Sequence, residues 1–98
     1  MNIRVTEDAA DDLENMKERI ARDDGAAAER VIEQIQGTIR VLGERPHLGH
    51  DGIVDGTYER TVSRTPYVIV YRIDLGSKDE LIILRVPRSS QQRSGFHY

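Results

Sequence analysis

The sequence predicts an α+β domain of order β-α-α-β-β-β, a helical hairpin packed on a small antiparallel sheet. Three observations carry this. Apolar residues recur every three or four positions through residues 9–42, the spacing of helix faces. The period changes to two after a glycine-rich stretch at 43–56. The 98 residues leave room for one hydrophobic core and little else.

Ile3-Arg4-Val5-Thr6 alternates apolar and polar, as a short strand does. Thr6 is placed to cap a helix whose first turn holds Glu7 and Asp8, where the helix dipole favours carboxylates. Ala9, Leu13, Met16 and Ile20 form one face of that helix, and Asp23-Asp24-Gly25 breaks it. Ala28, Val31, Ile32, Ile35, Ile39 and Leu42 mark a second helix, stopped by Gly43 and Pro46. Gly37 inside it reads as a point of close packing. The short connection folds the two helices into an antiparallel hairpin.

Residues 43–56 read as an irregular loop. Thr57 to Ser63 reads as a strand, Tyr67 to Ile73 as a central strand apolar on both faces, and Leu81 to Val86 as a second buried one. The turn between the last two covers Asp74 to Asp79. Leu13, Met16, Ile20, Val31, Ile35, Ile39, Val68, Val70, Ile82 and Leu84 are the expected shared core. The domain spans 1–88, and 89–98 is a polar tail with freedom to move.

Composition excludes several classes. There is no cysteine, hence no disulfide, thiolate metal site or cysteine nucleophile. The first eight residues lack the apolar core of a signal peptide, and no apolar run approaches a membrane span, so a cytoplasmic chain is expected. No dinucleotide fingerprint or phosphate-cradling glycine loop occurs, and no cofactor or metal is expected. Net charge is −3 but unevenly spread. Residues 1–56 hold seven Lys/Arg against thirteen Asp/Glu, while 57–98 hold seven against four. Either the halves attract each other, or the second half faces an anionic partner.

Candidate chemistry centres on histidines and arginines. Cleavage of RNA through its 2′-OH needs a base, a cation and an acid. His47, His50, Arg64, Arg85 and Tyr98 are the set available for it, with His97 also in the tail. The structural alternative leaves His47 and His50 as plain loop residues. Tyr67 and Tyr71 share a strand face, either as half-buried packing or as a base-stacking platform. Arg60, Arg72 and Arg85 interrupt strand sequences. They form a cationic patch if they meet on one face, or internal pairs, such as Arg85 with Glu59 or Asp79, if they do not. With Arg88 they are the candidate partner- or nucleic-acid-binding residues.

Five segments, in order and spacing, carry a resemblance. They are Asp24-Gly25-Ala26-Ala27-Ala28-Glu29-Arg30, Arg45-Pro46-His47-Leu48-Gly49, Gly56-Thr57-Tyr58-Glu59-Arg60, Pro66-Tyr67-Val68-Ile69-Val70-Tyr71-Arg72 and Ile83-Leu84-Arg85-Val86. Over residues 3–88 the chain resembles the RelE/ParE toxin superfamily of bacterial type II toxin–antitoxin systems, often labelled plasmid-stabilisation proteins. The spacing from the loop to the Pro66–Arg72 segment looks more like ParE than RelE. Arg88 and His50 depart from the common pattern, standing where many relatives carry histidine and arginine.

The resemblance implies a growth-arresting toxin that inhibits DNA gyrase by binding, with no catalytic residues. It implies a cognate antitoxin as partner in a hetero-oligomer; the groove between the helical hairpin and the sheet can take a partner helix, and the open sheet edge an added strand. The superfamily also admits a ribosome-dependent mRNA endonuclease, whose partners are the ribosome and mRNA. An inactive module that only binds antitoxin is a third alternative.

Overall fold

A computed structural model describes residues 1–76, 78–96 and 98. Ser77, in the predicted turn, and His97, one of the candidate histidines, lie outside the described residues. The chain runs β1 (Asn2–Val5), α1 (Glu7–Ala21), α2 (Gly25–Glu44), a 3-10 turn (Pro46–Leu48), β2 (His50–Asp51), β3 (Tyr58–Thr61), β4 (Val68–Asp74) and β5 (Glu80–Arg85). The expected β-α-α-β-β-β order holds, with β2 as an addition. The sheet order is β1-β5-β4-β3-β2. The last three strands form the predicted antiparallel meander, and β1 pairs in parallel with β5 at the edge.

Thr6 caps α1 as expected, its hydroxyl oxygen accepting from the Ala9 amide at 3.1 Å. The same hydroxyl donates to the Leu84 carbonyl at 3.0 Å, so one residue starts the helix and fastens it to β5. Asp24 caps α2, accepting from the amides of Ala26 and Ala27. Both helices press the predicted stripes onto one face of the sheet. The sequence leaves β2 inside an irregular loop because two polar residues, His50 and Asp51, carry no period.

One expectation fails in an informative way. The helix-side core takes Tyr67, Ile69, Tyr71, Leu81 and Ile83 from the central strands. Val70, Ile82 and Leu84 form a separate cluster on the opposite face, and Val68 shares their parity. β4 and β5 are apolar at every position of the buried run, so alternation offers no clue to which set meets the helices. A bulge beside Val70/Tyr71 also shifts the register at Leu84.

The second face is crossed by the C-terminal tail. Arg93 is buried there and holds Glu59 through Nε (3.0 Å) and Nη2 (2.9 Å), while its Nη1 donates to the carbonyls of Ser89 and Gln91. Glu59 stands opposite Val70, so this pair fixes the tail above the second cluster. The Phe96 ring lies 4.6 Å from the Arg85 guanidinium carbon. On the same face Arg4 and Arg72 flank Ile82 in a cross-strand row, where their aliphatic stems can cover it.

Tyr71 is the other fixed point. Its fully buried hydroxyl donates to the Pro46 carbonyl at 2.7 Å and accepts from the Gly49 amide at 3.0 Å. A Cβ at position 49 would strike that hydroxyl, so glycine is required for the close approach. The Tyr58 ring stacks on Tyr71 at 5.6 Å.

Two outcomes test this packing. Ile35 is fully buried between helices and sheet, so Ile35→Ala should cost about 2–5 kcal/mol, read from urea or thermal unfolding. Burial holds the Tyr71 phenol above its ordinary pKa of 10.0. The neutral form is therefore the one folding favours, and its stabilisation is complete below pH 10 and lost as pH rises further. Alkaline unfolding should show this loss, and Tyr71→Phe should remove that component of the pH slope.

Candidate functional site

The candidate arginines separate on folding. Arg60 pairs across the ladder with Ile69, which places it on the helix side of the sheet, and it donates to the Leu48 carbonyl at 3.2 Å. Arg72 pairs with Ile82 and lies on the opposite face. Arg85, the last residue of β5, pairs with Val70 beside the bulge and grips Asp12 of α1 through Nε (2.7 Å) and Nη2 (3.0 Å). The single-face patch of Arg60, Arg72 and Arg85 therefore does not form. Alternating strand geometry puts Arg60 and Arg72 on different faces, and Asp12 neutralises Arg85. Internal pairing of Arg85 holds in kind, but its partner is Asp12, with Glu59 taken by Arg93. The Asp12 hydrogen bond raises the Arg85 pKa further above its already high ordinary value, against the opposing effect of burial. Arg88 bridges to Tyr67 through the backbone, its guanidinium carbon 5.9 Å from the tyrosine ring centroid.

The hydrolytic set is scattered as well. His47 meets the edge of Tyr58 on the helix side. His50 pairs with Glu59 on β2, which gives it the parity of the tail side. Arg64 stands at the tip of the β3–β4 hairpin, beside α2. Arg85 is engaged by Asp12. Tyr98 belongs to the tail, near Glu59, Arg85 and Arg93. Burial first and the Glu59 carboxylate second raise the Tyr98 phenol pKa, so the group is a proton donor at neutral pH rather than a base. Tyr67 and Tyr71 are buried on the helix side, with the Tyr67 hydroxyl accepting from Arg19 Nη2 at 3.0 Å; packing accounts for both, and neither ring is offered to a base.

The sequence reading missed the best-built polar pair, Glu59 with Arg93. Glu59 accepts from Arg93 Nε at 3.0 Å and from the Ile53 amide at 3.2 Å, and its other oxygen forms the ion pair with Arg93 Nη2 at 2.9 Å. A carboxylate used by three donors is a joint between tail, loop and sheet, and not a free general base. The one signal for Glu59 was a lone acid inside a β-branched and aromatic strand.

Two surfaces stand out among the described residues. One is the β1 edge with Met1, Ile3 and Val5, together with Val41 of α2, all substantially exposed apolar side chains. The other is a groove of about 1060 Å³ between α2 and the β3–β4 hairpin, lined by Arg30, Arg40 and Arg64 among others. No described helix is long and apolar enough to cross a membrane.

Comparison with known proteins places this geometry. A protein of Sinorhizobium fredii named "Putative toxin Y4kP" is 37% identical over 90 residues, covering 92% of this chain and 90% of that one. The chromosomal ParDE toxin–antitoxin system from P. aeruginosa shares the fold, with a TM-score of 0.78 and 24% identity over 90% of this chain and 95% of that one. The RelBE2 toxin–antitoxin complex from Mycobacterium tuberculosis matches at a TM-score of 0.58 and 28% identity, over 89% and 95% of the two chains. Residues 3–93 match the model of the ParE toxin of the type II toxin–antitoxin system parDE, and with that span the chain belongs to the ParE toxin family.

Proposed function

We propose that this type II toxin acts in the cytoplasm by binding DNA gyrase, without bond-breaking chemistry of its own, and that a cognate antitoxin neutralises it as a hetero-oligomer. The observation that carries the reading is the scatter of the hydrolytic set. His47 and His50 fall on opposite sides of the sheet, Arg64 is at a hairpin tip, and Arg85 is already paired. Base, cation and acid must converge within hydrogen-bond reach of one phosphodiester for RNA cleavage. A binding toxin needs no such convergence. Family membership supports the same choice.

The endonuclease reading draws on one local feature, the neighbourhood of Tyr98 with Arg85 and Arg93 on the tail side. Induction in a bacterial host separates the two. Binding to gyrase should produce early replication arrest and altered supercoiling with translation intact. Early translational arrest with unchanged supercoiling, together with cleavage on programmed ribosomes, selects the endonuclease. Absence of any growth defect selects the inactive module.

The antitoxin reading is supported by the β1 edge. β1 is bonded to β5 on one side, and its other side offers backbone donors and acceptors to an added strand. Val5 is 44% exposed beside it. Val5→Lys should leave thermal stability within about 0.5 kcal/mol, as for ordinary surface changes. It should weaken the antitoxin complex about tenfold in calorimetry, the loss expected for an apolar anchor worth about 1.4 kcal/mol. An unchanged affinity places the interface away from this edge.

A further inference from the structure

α2 has a second face that the core does not use. Beside its buried stripe runs a second one, Ala27, Arg30, Gln34 and Gly37, turned toward the tip of the β3–β4 hairpin. Gln34 Nε2 reaches the Ser63 carbonyl at 3.5 Å and ties the two walls together. Arg64 sits at the tip with φ of 63°, the left-handed region that side chains other than glycine seldom enter. The hairpin turn holds it there, with Thr65 bonded back to the Val62 carbonyl through both its amide (3.2 Å) and its hydroxyl (3.0 Å).

Gly37 acquires a different meaning in this setting. A Cβ there would meet only Arg40 Nη2, at 3.8 Å. The glycine is therefore not a point of tight helix packing. The Arg40 guanidinium lies over it at ordinary van der Waals distance. Arg30, Arg40 and Arg64 thus share one groove with a single carboxylate, Glu33. Among the described residues none of the three arginines forms an ion pair.

We propose that this groove binds the phosphodiester backbone of a nucleic acid, through Arg30, Arg40 and Arg64. Arg30 and Arg40 are ten residues apart on one helix, about 15 Å along its axis, so a small anion could not engage both. That length of B-form duplex axis carries about four phosphates on each strand, at ~3.4 Å of axis each. Guanidinium forks match phosphate oxygens, and Gln34, Gln36 and Thr65 supply neutral hydrogen-bonding groups beside them. An acidic protein helix is the weaker fit, because it would want a row of apolar anchor sites and the lining offers Ala27 and Val31 alone. No aromatic ring lines the groove, so it reads the backbone and not the bases. The proposal stands independently of which target the toxin arrests.

The test is fluorescence anisotropy of the 98-residue chain with a labelled random-sequence DNA duplex, a single-stranded RNA of equal length, and polyglutamate. Three phosphate contacts give a logarithmic salt slope of about −2.7 on duplex DNA, or roughly a fortyfold loss of affinity between about 50 and 200 mM salt. Each of Arg30→Gln, Arg40→Gln and Arg64→Gln should flatten the slope by about 0.9, and the triple variant should abolish binding. Glu33→Gln should tighten it, a gain that misfolding cannot produce. Arg72→Gln, outside the groove, should change nothing. Tighter binding of RNA than of DNA, with the same arginine dependence, assigns RNA as the source of the phosphates. Three results would overturn the proposal: no binding of either nucleic acid at about 50 mM salt, equal binding by the triple variant, or arginine-dependent binding of polyglutamate that exceeds both nucleic acids.

Discussion

The central strands are apolar on both faces, and the rest of the molecule is arranged around that fact. β4 and β5 bury Val68 through Tyr71 and Leu81 through Leu84 without a polar break. A sheet of this kind leaves one apolar surface in water unless it is covered twice. The helical hairpin covers Ile69, Tyr71, Leu81 and Ile83. The other side has no helix to spare in a chain of 98 residues, and the cover is assembled from arginine stems and the crossing tail. This accounts for a guanidinium as buried as that of Arg93. Anchoring a polar segment over an apolar cluster needs a strong directional bond, and a bidentate Arg–carboxylate pair supplies one.

The same logic joins α1 to the sheet at its other end. Thr6 fastens the helix start to β5, and two turns later Asp12 takes Arg85 and the Val86 amide together. The residue that interrupts the buried run is the one that closes β5 beside the bulge, half-buried and paired with Asp12, so its charge stays out of the core. Attraction between an acidic first half and a basic second half explains this contact. It does not explain the other two ion pairs. Arg4 with Glu80 puts the base in the acidic half, and Arg93 with Glu59 lies wholly within the basic one. The uneven charge along the chain is therefore only partly an internal matter.

Much of the fold was legible in the sequence because helices advertise themselves. A 3.6-residue period, Thr6 before two acids, and Pro46 behind a stripe leave few alternatives for α1 and α2, although α2 runs through Gly43, the expected stop, to Glu44. The strands were legible as strands, but their faces were not. When Ile69 and Val70 are equally apolar, nothing local says which meets Met16 or Ile35. The site suffered more. Arg85 and Asp12 are 73 positions apart and Arg93 and Glu59 34 apart, so each pairing depends on a topology that residue patterns do not encode. Gly37 shows the converse: its presence was noticed, but the structure gives it no tight helix contact, only the Arg40 guanidinium nearby and a place in the groove lining.

Folding sorts eight of the arginines into two populations, and that sorting bears on function more than net charge does. Arg19, Arg60, Arg85 and Arg93 spend their hydrogen bonds on the protein itself. Arg30, Arg40, Arg64 and Arg72 are exposed, and among the described residues none has an acidic partner. A chain of net charge −3 would repel a polyanion at long range, but exposed charges are screened beyond about 8 Å at physiological ionic strength. Inside that distance a partner feels the local constellation and not the sum. The acidic face of α1, with Asp11, Glu14 and Glu18, lies on a helix that does not line the α2 groove. One small domain can therefore present an anionic helix, an apolar strand edge and a cationic groove, the last two adjoining where Arg40 and Val41 follow each other on α2.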